Sequence, residues 1–142
     1  MAAASPSMQD AELVLKLYDL RREAVLRENR SRLNGEFWPK SFADIQSVMA
    51  MDHPLNSAWR QVVSYWEMVY GMGVHGIAHP EFLVENNGEG LLTYIKVRPF
   101  MDELRAINAR AFKHAEWAAT RTDIGGQYVE RLTRMMQERN PR

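Results

Sequence analysis

Residues 56–80, NSAWRQVVSYWEMVYGMGVHGIAHP, constrain the fold more than any other stretch of this 142-residue chain. Trp59, Val62, Val63, Trp66, Val69, Tyr70 and Gly73 recur at three-and-four spacing, which on a helix brings them to one face. The stretch reads as a core helix, capped by Asn56 or Ser57 and loosened where glycines stand at 71, 73 and 76.

Helical patterns occupy most of the remaining chain. Residues 1–8, small and polar with Pro6, read as a loose tail. From Asp10 to about Leu33, Leu13, Leu17, Leu20 and Ala24 trace a stripe that Asn34-Gly35 should stop. Glu12–Lys16, Glu23–Arg27 and Glu28–Arg32 are acid-before-base pairs four apart, which marks a solvated face. After the apolar connector Phe37-Trp38-Pro39, Ser41-x-x-Asp44 has the form of a capping box opening a short helix from Phe42 to about Met51. Asp52-His53-Pro54 ends it, because the residue before proline disfavours helix. Pro80 suits the first turn of a short helix to Val84, closed by Asn86-Asn87-Gly88.

Leu91–Val97, LLTYIKV, has a strand-like composition, but a lone strand has nothing to pair with. It is assigned helix, passing into or kinking at Pro99. Phe100, Leu104, Ile107, Ala111 and Phe112 mark a second long helix from Pro99 to about Ala119. Asp123 can cap a final helix with Tyr128, Val129, Leu132, Met135 and Met136 on its apolar face. The expected fold is all-α: a single irregular helical bundle of about five or six helices over residues 9–138, between tails at 1–8 and 139–142. Its core is placed at Leu17, Trp59, Val63, Trp66, Leu104 and Leu132.

Composition narrows the chemistry. The absence of cysteine removes thiolate nucleophiles, disulfides and cysteine metal sites, and points to a reducing cytoplasm. Basic and acidic residues balance at 18 each, so no global field selects nucleic acid or anionic lipid, and neither is expected as a partner. No run reaches the roughly 18 apolar residues of a membrane span, and the first residues lack a secretory pattern. Charge is nevertheless uneven: residues 41–95 hold one base against six acids, residues 96–142 ten bases against six acids. Complementarity between packed helices accounts for this without a partner.

Two motifs in the opening stretch lack their surroundings. Gly71-x-Gly73-x-x-Gly76 has the letters of a dinucleotide fingerprint, but that motif needs a strand before it and a helix after it. The glycines are read instead as ending a helix or packing it closely. His75 and His79 stand four apart, a weak metal pair that would need further ligands, so no metal or cofactor is assigned. Glu67 is more informative, because a carboxylate on an apolar face is costly unless partnered. A structural pair with Arg105 is expected, with Arg98 in reserve.

Trp59-x-x-Val62, Trp66-Glu67, Gly76-Ile77, Pro99 and Arg105 together resemble a group of bacterial all-helical domains of unknown function, over roughly residues 59–105. By that resemblance Glu67 and Arg105 would be the family's polar pair. Some members of the group carry a membrane-spanning helix ahead of the domain, and none is expected among these residues. The resemblance brings no activity with it.

The leading functional expectation is a non-enzymatic interaction or scaffold module that forms a homo-oligomer and takes an unidentified protein partner. The alternative is a small-molecule pocket near Trp59, Trp66, Glu67, Tyr70, His75 and Arg105, or an enzyme using Glu67 with His75 and His79. A cavity reaching Glu67 would favour the alternative.

Overall fold

The computed structural model describes residues 4–139. The expected tails fall partly outside that range, at residues 1–3 and 140–142. The described residues are helical and turn throughout, with no strand. In chain order they form α1 (Met8–Arg21), α2 (Ala24–Glu36), α3 (Phe42–Met49), α4 (Asn56–Val74), α5 (Pro80–Glu85) and α6 (Gly90–Val97). A 3-10 turn at Arg98–Phe100 leads into α7 (Met101–Ile107), followed by α8 (Lys113–Arg121) and α9 (Asp123–Arg139). The bundle is therefore made of more and shorter helices than five or six.

Helix α4 is the axis. It packs against α2, α3, α5, α6 and α8, and α9 packs in turn against α5, α6 and α8. Ala58, Trp59, Val62, Trp66, Val69 and Tyr70 of α4 are all buried, as the three-and-four spacing requires. Its last turn passes through two glycines without breaking. A Cβ at Gly71 would stand 2.9 Å from the His114 ring, and one at Gly73 2.5 Å from Trp117. These glycines let α8 approach the α4 backbone, and Gly76, at φ +71°, supplies the turn that ends it.

Three boundaries depart from the sequence pattern, each for a local reason. The first long helix is broken at Arg22-Glu23, because the Glu23 carboxylate accepts from the Val25 and Leu26 N–H groups and caps α2 instead of pairing with Arg27. Asn34-Gly35, expected as a stop, lies inside α2, and Arg32 pairs with Glu36 rather than Glu28. The second long helix is split into α7 and α8. There the Asn108 side chain accepts from Arg110 N in an Asx turn, and Phe112 takes a left-handed φ of 56°.

Smaller expectations are corrected in the same way. Ser41 makes no capping bond to α3, because the Asp44 carboxylate is turned back onto Lys40 N. Asn56 does not cap α4: it is buried, and its Nδ2 donates to the Val48 carbonyl near the end of α3. Leu91–Val97 is helix, and Pro99 sits in the 3-10 turn that follows, where its missing N–H costs nothing. Asp123 opens α9, but its side chain is not the cap. The Thr122 hydroxyl accepts from Gly125 N instead.

Candidate functional site: charged side chains at helix ends

Glu67 projects from α4 toward the start of α8. One carboxylate oxygen accepts from His114 N at 3.1 Å and the other from Ala115 N at 2.8 Å. The first N–H groups of a helix have no partner within it and carry the positive end of its dipole. Glu67 therefore satisfies its charge with backbone donors, and not with Arg105 as expected. Arg105 instead donates from Nη1 to Glu116 at 3.0 Å and from Nε to the Ala111 carbonyl at 3.0 Å, which holds the α7–α8 turn. Its Nη2 is buried without a partner among the described residues.

The same device recurs across the molecule. Both oxygens of Glu81, on α5, accept from Asp123 N and Ile124 N at the start of α9, each at 3.0 Å. Asp10, on α1, accepts from His79 N at 2.9 Å as α5 begins. Its carboxyl is held below the usual aspartate range, first by the Ser7 N–H and then by that of His79. At the opposite polarity, Lys96 of α6 donates to the Asn34 carbonyl in the last turn of α2 at 2.8 Å. Four helix ends are thus closed by charges brought from other helices, with the sign the dipole favours at each.

The remaining sequence candidates separate. Trp66 and Tyr70 lie buried in a hub, their rings stacked at 6.0 Å and 21°, against Gly90, where a Cβ would meet Trp66 at 2.5 Å. The Arg21 guanidinium reaches this hub from α1, stands 5.4 Å from the Trp66 ring and donates to the Asn87 side chain and to Tyr65 Oη. Tyr65 in turn donates to Leu17 O at 2.8 Å, and Tyr70 to Asn87 O at 2.7 Å. Burial pushes the Tyr70 hydroxyl well above the ordinary tyrosine range and raises Tyr65 as well.

His75 and His79 fall on different elements. His75 is the exposed C-cap of α4 and stands edge-on to His114 at 6.0 Å, whereas His79 opens α5, where its Nδ1 accepts from Phe82 N. No group of three or more His, Asp or Glu side chains among the described residues is arranged to hold a metal ion. Trp59 and Glu67 share a cleft of about 150 Å³ with Met49, Val63, Leu104 and Phe112. Trp66, Tyr70, His75 and Arg105 do not line it.

Glu81, His114 and Lys96 escaped the sequence reading, and Asn87 entered it only as part of a helix stop. Only Lys96 carried a local signal, as the one charge in an apolar run. No helix among the described residues is long and apolar enough to cross a membrane.

These features define an all-helical domain whose polar residues join its helices. Residues 6–122 match the family model described as a domain of unknown function, DUF4760, and the chain belongs to that family. No curated protein and no solved structure matches it.

Proposed function

We propose that this domain is a protein-interaction module that pairs with a second copy of itself through the outer face of α1. The observation that carries the reading is that α1 has two apolar faces. Leu13 and Leu17 point inward, while Met8, Leu15 and Tyr18, spaced seven and three apart, are 76%, 67% and 53% exposed. Val25, at the start of α2, is exposed as well. Exposed large apolar side chains on one face of a helix held to the body on its other side are read as an association surface.

Charge favours an antiparallel copy. Glu12 lies in the first half of α1 and Arg22 just beyond its end, so antiparallel pairing sets unlike charges and opposed helix dipoles against each other. At 14 residues α1 is about 21 Å long, which places the contact at the small, weak end of known interfaces, with affinity on the order of micromolar.

Sedimentation equilibrium over about 5–500 µM tests this. A monomer–dimer equilibrium is expected, lost in Leu15→Glu and Tyr18→Glu and kept in Met51→Glu on a separate exposed site. A monomer at every concentration, or a dimer indifferent to all three changes, would refute it.

The second reading, a ligand pocket at Glu67, has the cleft beside Trp59 in its favour. At about 150 Å³ that cleft is well under the ~300–1,000 Å³ of typical ligand sites, and both Glu67 oxygens are already engaged.

A further inference from the structure

Lys96 is 97% buried, being 3% exposed, and no acidic side chain stands within ion-pair distance of it among the described residues. Its ammonium has three donors, of which one reaches the Asn34 carbonyl. It stands 3.7 Å from the centre of the Trp38 ring. That indole is fixed by its own Nε1, which donates to Gly35 O at 3.0 Å.

Capping α2 explains one cation here, but there are two. The Arg139 guanidinium lies 4.2 Å from the same ring, and it too has no acidic partner among the described residues. Two cations sharing one indole repel each other, and among the described residues neither has an acidic partner. Between Trp38 and α9 opens a cleft of about 270 Å³, lined by Asn34, Leu92, Leu132, Met135, Met136 and Arg139. The site thus combines a cationic side chain with apolar walls and a pair of adaptable methionines.

We infer that this cleft binds an aliphatic carboxylate of medium chain length, its carboxylate at Arg139 and its chain along Leu92, Leu132 and Met136. At about 270 Å³ the cleft lies just under the ~300–1,000 Å³ of typical ligand sites, so it has room only for a slender ligand. The guanidinium offers paired donors that match a carboxylate, and Lys96, 3.7 Å from the centre of the same ring, adds positive potential there. Burial, and then the neighbouring Arg139, lowers Lys96 to about 8, as a cation without a nearby anion should behave.

The test is calorimetric titration of the intact chain with decanoate, with decanol and acetate as probes lacking the charge or the tail. Methionine methyl resonances locate the site. Saturable binding of one decanoate per chain is expected, with decanol and acetate at least about tenfold weaker. Arg139→Gln should weaken decanoate about tenfold without moving the melting temperature. Met135→Glu, at an exposed position, places an acid beside Arg139 and should do the same, so the test does not hang on one variant. Equal affinity for decanol, indifference to both substitutions, or no saturable binding up to millimolar decanoate would each overturn the assignment.

Discussion

Replacing Glu67 by alanine removes the acceptor for two N–H groups at once, those of His114 and Ala115, and removes a half-buried negative charge from the positive end of α8. Loss of an N-terminal cap costs about 1 kcal/mol, within ~0.5–2. Loss of a favourable charge at a partly buried helix end costs up to about 2 kcal/mol more. The two effects overlap, because one carboxylate supplies both, so the expected loss for Glu67→Ala is about 2–3 kcal/mol. For a chain of this length that lowers the melting temperature by roughly 6–10 °C. Glu67→Gln keeps one acceptor oxygen but turns an NH2 toward the other N–H, for a loss of about 1–2 kcal/mol. Urea titration followed by circular dichroism measures both, and hydrogen exchange should quicken at the amides of residues 114 and 115 in the alanine variant. A loss under about 0.5 kcal/mol, with those amides still protected, would refute the capping role and reopen a functional one.

Three further outcomes follow from the geometry. A Cβ at Gly125 would stand 1.8 Å from the Ala118 carbonyl oxygen, so Gly125→Ala should destabilise by more than about 3 kcal/mol in thermal melts. At Gly35, exposed inside α2 with open space around it, alanine should stabilise by about 0.5–1 kcal/mol, and a loss there would contradict a helical conformation at this residue. Lys96 titrates near 8 when folded, against an ordinary lysine value of 10.5, so the unfolded chain holds the extra proton between those values and stability should rise with pH from about 8. Tyr65, Tyr70 and Tyr94, raised by burial from 10.0, oppose that rise above about pH 10. Lys96→Met should flatten the rise in urea midpoint between pH 8 and 10, and a wild-type midpoint that does not rise there would contradict the depressed lysine.

Helical periodicity was legible wherever packing alone decides the structure. The stripe of α4 follows from it, because its apolar side chains have one favourable side, whereas Leu91–Val97, buried nearly all round, was assigned helix only because a lone strand would lack a partner. The breaks were not legible, since ordinary residues make them. Glu23 serves equally well as a partner for Arg27 or as a cap, and only the path of α2 chooses between them. Phe112 enters a left-handed conformation that its sequence gives no reason to expect, and its burial beside Trp59 accompanies that choice. At the candidate site, Glu67 stood out because a carboxylate on an apolar face requires a partner. The partner was misassigned because the free N–H groups of a helix start are properties of a fold, with no letter of their own in a sequence. Glu81, an ordinary surface acid by pattern, was missed for the same reason.

The remote caps also set an order of events in folding. The bonds that close the starts of α5, α8 and α9 and the end of α2 span 69, 47, 43 and 62 residues of chain. Helical proteins usually fold fast because their contacts are local, whereas each of these bonds waits for a long loop to close. The N-terminal turns of α8 and α9 therefore consolidate after α4 and α5 have delivered Glu67 and Glu81. Substitutions at those two glutamates should speed unfolding far more than they slow refolding.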